Sequence, residues 1–269
     1  MGKKVGVIGC GVMGGALIRA IAKQIPHSDI LLFDVDEQKS EALSKEIGAE
    51  KVADCIDAAS KADYLILAVK PAYVASVLKD ITSLVPEDEL PLFISICAGV
   101  KIETLQRAAL TQARFIRLMP NLPATVGEAM IALTCEDDIS SEEVAEVKSI
   151  LSKAGSVEQV PENLMDCVTG ISGSGPAYGF IFIEALADAA VKLGMPRKQA
   201  YIYAAQTLKG AAAMVLETGR HPADLKDAVC SPAGTTIAGV AALEENGFRD
   251  AIIKAAVAAT ERSAELGNK

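Results

Sequence analysis

The residues best suited to chemistry come early, in Gly9-Cys10-Gly11-Val12-Met13-Gly14. Gly9 lets the chain turn tightly, Gly11 lets backbone approach a pyrophosphate, and Gly14 lets the next helix pack close to its strand. Amide N–H groups at that helix N-terminus then meet phosphate charge without a basic side chain. Asp34 follows twenty residues after Gly14, where a carboxylate that accepts the ribose 2′-hydroxyl is expected. Such an acid repels a 2′-phosphate, no arginine follows it, and the nearest cation is Lys39. The residues therefore favour NADH over NADPH.

Three further stretches bear groups that a ligand could use. Ala68-Val69-Lys70-Pro71 ends one apolar run, with proline fixing the exit of the chain and Lys70 the one cation so placed; Ala98 follows the next run. In Met119-Pro120-Asn121-Leu122-Pro123 an asparagine is clamped between prolines, to bond a cofactor or substrate or to cap the turn. Ser231-Pro-Ala-Gly234-Thr235-Thr236 precedes a helical pattern, so consecutive amides at a helix N-terminus form a cradle for a carboxylate. Two threonines competing to cap that helix would explain one of them, but not the Pro-Ala-Gly before it. With Gly173-Ser-Gly175-Pro-Ala-Tyr178, this loop suggests an anion site facing a nicotinamide.

These groups need elements to position them. Strand patterns fall at 4–8, 29–33, 51–53, 64–69, 92–96, 115–119, 129–133 and 157–160, and helical patterns at 16–24, 37–47, 72–84, 102–110 and 142–153. Apolar strands alternating with helices imply a doubly wound, mostly parallel sheet of Rossmann type, with its ligand crevice beyond the strands' carboxyl ends. After Pro161 the pattern is wholly helical: 177–193, 197–216, 222–229, 235–246 and 249–266. The expected organisation is an α/β dinucleotide-binding domain over 1–160 and an all-helical dimerisation and substrate domain over 161–269.

In the first of those later helices the charges Glu184, Asp188 and Lys192 recur every four residues, one narrow polar stripe on an apolar cylinder. Two carboxylates near its centre argue against a membrane span. Burial on nearly all sides exceeds what the remaining helices can supply, so a second subunit is expected to cover it.

Composition narrows the class. A net charge of −9 disfavours nucleic acid or an anionic membrane as partner. Six scattered cysteines without a CxxC pair read as buried thiols of a reducing compartment. With His27 and His221 the only histidines, no metal site is expected. Lys3 and Lys4 are followed by too short an apolar run for a secretory signal, and Gly6 spoils a myristoylation pattern, so the cytoplasm is the expected location.

Ile8-Gly-Cys-Gly-Val-Met-Gly14, Ala68-Val-Lys-Pro71, Met119-Pro-Asn-Leu-Pro123, Ser172-Gly-Ser-Gly-Pro-Ala-Tyr178, Leu225-Lys-Asp227 and Ser231-Pro-Ala-Gly-Thr-Thr236 together resemble the pyrroline-5-carboxylate reductase family, from end to end and in the same order. The resemblance implies NAD(P)H-dependent reduction of the cyclic imine to L-proline, the last step of proline synthesis, and a preference for NADPH in many members that disagrees with what Asp34 favours. It also implies a helical domain that interlocks with its mate, giving homodimers that assemble further, into decamers in many members. By resemblance, the glycine turn and Ala68–Pro71 contact the cofactor, and Ser231, Gly234, Thr235 and Thr236 bind the substrate carboxylate. Thr236 then sits near the imine nitrogen. Thr236 and Lys70 are thus the candidate catalytic residues. Some members carry an asparagine three residues before the loop's serine; here that position is Ala228, and any contact it makes across the dimer is absent or replaced.

Two other readings compete. A β-hydroxyacid dehydrogenase would share the architecture, but aligning Gly170, Gly173 and Gly175 with its motif puts Gly179 at the catalytic lysine and Phe182 at the asparagine. A non-catalytic module that senses nucleotide is opposed by the intact 231–236 loop. The expected geometry is that amides from two folding units converge on reduced dinucleotide and a small acidic heterocycle.

Overall fold

The computed structural model describes residues 2–267. In chain order, the first half forms β1 (Val5–Ile8), α1 (Val12–Ile21), β2 (Ile30–Phe33), α2 (Glu37–Ile47), β3 (Glu50–Lys51), α3 (Cys55–Lys61), β4 (Tyr64–Leu67), α4 (Pro71–Leu84), β5 (Leu92–Ser95) and α5 (Ile102–Ala108). It continues with β6 (Phe115–Met119), β7 (Ala129–Cys135), α6 (Ser141–Leu151) and β8 (Gly155–Gln159). The strands make one eight-stranded sheet ordered β3-β2-β1-β4-β5-β6-β7-β8. All pairs are parallel except β6 with β7. Strand order reverses between β1 and β4, which places the ligand crevice beyond their carboxyl ends.

Strand side chains divide by alternation between two cores, one on each face of the sheet. Val5 and Val7 of β1, with Tyr64 and Ile66 of β4, join Leu17, Ile18 and Ile21 of α1. Ile8, Leu65 and Leu67 turn the other way, onto Leu78 and Ile81 of α4 and Leu105 of α5. Gly6 has room for no side chain, since a Cβ there would lie 2.7 Å from Leu65 Cδ1 and 3.2 Å from Ala62 Cβ.

Several boundaries differ from the sequence pattern. Helix α1 begins at Val12 rather than Ala16, so Gly14 and Gly15 are helical despite their poor propensity; burial of both overrides it. It ends at Ile21, and residues 22–24 form a turn before Pro26. Helix α3 had no counterpart in the sequence pattern; Asp54 caps it, accepting from the N–H groups of Ile56 and Asp57.

The remaining helices are α7 (Met165–Val168), α8 (Gly175–Lys192), α9 (Arg197–Thr218), α10 (Pro222–Val229), α11 (Thr235–Glu245) and α12 (Phe248–Gly267), with a π-helical turn over Thr169–Gly173 before α8. Contacts divide the chain into a sheet unit, 1–173 with 259–269, and a helical unit, 174–258. The pattern changes at Pro161, but residues 162–173 and the end of α12 pack with the sheet. Glu162 accepts from Ile102 N–H at 2.8 Å and pairs with buried Arg117 of β6 at 3.1 Å. Ser263 Oγ donates to Asp166 at 2.7 Å.

Within the helical unit, α8 and α9 bury only Ala187, Ala200 and Ala204 between them. Phe180 (56 %), Ile181 (66 %), Ile202 (59 %) and Tyr203 (63 %) are exposed in the single chain. The expected stripe is present: Glu184, Asp188 and Lys192 are all exposed, Asp188 paired with Arg197. No helix among the described residues is long and apolar enough to cross a membrane.

Candidate active site

The six parallel strands β1 to β6 end on the crevice edge, and every cofactor-binding candidate follows one of them. After β1 the chain turns at Gly9, whose φ of 104° suits only glycine and whose N–H donates to Phe33 O at 2.8 Å. A Cβ on Gly9 would lie 2.5 Å from Ala68 O, and one on Gly14 would lie 2.0 Å from Gly9 O. At Gly11 a Cβ would meet nothing within 4 Å. Gly9 and Gly14 are therefore required by the protein's own packing, whereas Gly11 faces open space where a ligand can approach. Gly11 is also the N-cap of α1 and carries no capping side chain, so the first amides of α1 keep no side-chain partner. Val12 is exposed and Met13 half-buried beside them.

Asp34 closes the other side of the turn. Its Oδ2 accepts the N–H of Cys10 at 2.7 Å and its Oδ1 accepts the N–H of Asp36 at 2.8 Å. A carboxylate has about four acceptor sites, so ribose hydroxyls can still be received. Lys39 is held by Asp36 at 3.1 Å rather than standing free. Burial, with Asp34 close by, pushes the Cys10 thiol up to about 12. Cys10 therefore lines the turn as a neutral group.

Ala68 and Val69 follow β4, with Ala68 N–H bonded to Ile8 O at 2.8 Å. Lys70 is the N-cap of α4, exposed and without an ion pair among the described residues, and Pro71 occupies the first helical turn. Ala98 is exposed in the turn after β5, beside Gly99 with φ of 74°.

Asn121 follows β6 and lies mostly out of water. It is 8 % exposed and makes no capping bond; Nδ2 donates to Ser172 O at 2.9 Å, and Oδ1 accepts Met130 N–H at 3.1 Å. Each polar atom of the amide thus bonds backbone once, leaving one N–H and one lone pair over.

In the helical unit, the 231–236 loop has the shape that the Pro-Ala-Gly spacing asks for. Gly234, not either threonine, is the N-cap of α11, and its N–H donates to Ser231 O at 3.0 Å. A Cβ on Gly234 would lie 2.2 Å from Ser231 Oγ, and Ala233 holds φ of 56°, the one positive φ outside glycine among the described residues. Thr235 and Thr236 are the first two helical residues, and no hydrogen bond holds their hydroxyls among the described residues. Ala228, at the end of α10, is exposed and offers no side-chain donor.

A side-chain-free cradle at Gly11, an uncapped helix N-terminus and an acid at the end of β2 together fit a nicotinamide dinucleotide. No cluster of histidine, cysteine and carboxylate suited to a metal occurs among the described residues. Fold and crevice thus define a Rossmann-type NAD(P)-dependent oxidoreductase.

Comparison with known proteins narrows that class. Residues 162–266 match the family model for pyrroline-5-carboxylate reductase dimerisation, and residues 4–99 match that for NADP oxidoreductase, coenzyme F420-dependent. The pyrroline-5-carboxylate reductase of Methanosarcina acetivorans is 45 % identical over 269 residues, covering 99 % of each chain, and that of Escherichia coli is 44 % identical over 268 residues at the same coverage. Among solved structures, the Coxiella burnetii enzyme superposes with a TM-score of 0.92 at 31 % identity, and the Plasmodium falciparum enzyme with NADP bound with 0.86 at 32 %; each comparison covers 98 % of both chains. The chain belongs to the pyrroline-5-carboxylate reductase family.

Proposed function

We propose that the chain reduces 1-pyrroline-5-carboxylate to L-proline, hydride going to the imine carbon and a proton to the ring nitrogen. The reading rests on one observation above others: relatives that carry this activity in their names align with the whole chain at over 40 % identity. A reduced nicotinamide, when bound, would supply the hydride and become NAD(P)+.

The chain's own residues bind, orient and exclude water. Gly9–Gly14 and the N-terminus of α1 hold the pyrophosphate, while Ala68, Val69, Pro71 and Ala98 border the dinucleotide. Lys70 contributes a positive charge on that edge. Amides of the Ser231–Thr236 loop, with the Gly173–Tyr178 segment, take the substrate carboxylate. The Thr236 hydroxyl bonds the ring nitrogen and relays a proton from water. A pyrroline imine is readily protonated and then accepts hydride without a strong protein acid. Alignment alone supplies roughly 7–11 kcal/mol of such a barrier, so the lack of a histidine or carboxylate dyad in this scheme is no obstacle.

Asp34 makes NADH a good reductant here, because its carboxylate receives a free ribose hydroxyl and repels a 2′-phosphate. The exposed apolar residues of α8 and α9 make a homodimer the working unit, with a decamer as the larger assembly. Six free cysteines suit the reducing cytoplasm as its location. The β-hydroxyacid dehydrogenase alternative is not favoured, since Gly179 and Phe182 on α8 cannot replace its lysine and asparagine.

The deciding experiment follows NAD(P)H oxidation with pyrroline-5-carboxylate, using both nucleotides and a six-membered cyclic imine as competitor. Turnover with the five-membered ring is expected. No oxidation with either nucleotide would overturn the reading and leave a non-catalytic nucleotide-binding role.

A further inference from the structure

Asn121 lies at the carboxyl end of β6, where a ligand-binding amide would be placed, yet its polar atoms go elsewhere. The Nδ2 bond to Ser172 O and the Oδ1 bond from Met130 N–H tie two backbone segments together through one buried side chain. Ser172 belongs to the π-helical turn Thr169–Gly173. Such turns are rare and concentrate at functional sites. Around it, Thr169 Oγ1 donates to Met165 O at 2.9 Å and Ser172 Oγ to Val168 O at 3.1 Å. Gly173 then passes so close to Met119 that a Cβ would lie 2.8 Å from Met119 Cε. Met119 and Asn121 thus bear on one turn, whose chain runs directly into Gly175 and α8.

A trans peptide points its C=O and the following N–H in opposite directions. Fixing the Ser172 carbonyl on Asn121 therefore fixes the Gly173 N–H as well. We propose that Asn121 is a positioning residue for imine reduction: through the Ser172 carbonyl it sets the peptide plane that begins the Gly173-Ser174-Gly175 backbone, and so the anion-binding surface. This rests on the assignment of the Gly173–Tyr178 segment to the substrate carboxylate. In this role the side chain acts through the Ser172 carbonyl rather than by contact with nucleotide or imine.

Asn121→Asp tests the Ser172 arm alone, because a carboxylate still accepts Met130 N–H but has no donor for the carbonyl. Asn121→Ser, neutral and too short for either bond, removes both arms and carries the test if the buried carboxylate prevents folding. For each variant, kcat/KM for pyrroline-5-carboxylate, the Kd for NADH from fluorescence titration and Tm are measured beside the unaltered chain. The expected result is a loss of about 10- to 100-fold in kcat/KM for the imine, with NADH Kd within about twofold. A rise in NADH Kd that accounts for the whole loss would make Asn121 a direct cofactor ligand and overturn the proposal. Unchanged kcat/KM at a lowered Tm would overturn it too, leaving a purely structural amide. Failure of the unaltered chain to reduce the imine would refute the proposed function instead, and is read in the same assay.

Discussion

The carboxylate of Asp34 receives the Cys10 amide at 2.7 Å, so the acid at the end of β2 braces the glycine turn at the end of β1. One residue thereby shapes the pyrophosphate cradle and sets the charge beside the ribose. Replacing Asp34 with Ser removes the negative charge and shortens the brace. The expected outcome is at least tenfold weaker kcat/KM with NADH, a difference of about 1.4 kcal/mol, and a smaller loss with NADPH. Steady-state kinetics with both nucleotides would check it; an unchanged ratio would show that Asp34 does not read the ribose.

The three glycines of the turn separate packing from binding. Gly14→Ala sets a Cβ 2.0 Å from a backbone oxygen that cannot move freely, so the helix must shift off its strand. A loss of about 3 kcal/mol or more is expected, in the range of severe overpacking. Gly11→Ala meets no protein atom and should leave Tm nearly unchanged while raising KM for NADH severalfold. Thermal melts alongside kinetics distinguish the two; equal destabilisation would contradict the role given to Gly11.

Much of this arrangement is legible in the residues because the requirements are local. Gly9, Gly11, Gly14 and Asp34 follow from steric and charge rules over short spans, and continuous apolar strands between amphipathic helices give a parallel sheet. Helix α3 escaped because Cys55-Ile-Asp-Ala-Ala-Ser-Lys61 is seven residues long with no clear apolar stripe; Asp54 as its cap was the available signal. The reversal of β7 against β6 was also hidden, since pairing direction is settled by tertiary contact. Asn121 shows the same limit. Its partners lie 9 and 51 residues away in sequence, and no local pattern names them.

Cys10 offers a test by pH. Its thiol is raised from 9.0 to about 12 by burial and by Asp34, so the folded state holds its proton while an unfolded chain loses it near the ordinary value. That stabilisation is complete below about pH 9 and disappears as pH rises from 9 towards 12. Alkylation of Cys10 by iodoacetamide in the folded protein should stay slow between about pH 7 and 9, while exposed Cys167 reacts. Peptide mapping after labelling checks this, and fast pH-dependent labelling of Cys10 would contradict its burial.

In the 231–236 loop, hydroxyl and backbone contributions separate cleanly. Thr236→Ala leaves the turn intact and is expected to raise KM for the imine and lower kcat, with NADH affinity unchanged. Gly234→Ala presses a Cβ against Ser231 Oγ and should distort the amide cradle, costing substrate affinity first. Turnover of Thr236→Ala equal to that of the unaltered chain would remove the hydroxyl from the mechanism.

The helical unit buries little apolar surface of its own. Its buried apolar centre consists of three alanines, while Ile181 and Ile202 stand mostly in water, and its sequence matches a dimerisation region. If Ile202 were truly exposed in solution, Ile202→Asp would change stability by no more than about 0.5 kcal/mol. Buried against a second copy, the same carboxylate costs several kcal/mol and should convert the protein to monomer. Ile181→Asp on α8 is expected to act alike. Light scattering coupled to gel filtration reads the mass, and melts over a range of concentrations read the coupling, because stability that depends on association rises with protomer concentration. A concentration-independent Tm with an unchanged mass for both variants would mean that these side chains face solvent in the assembled enzyme.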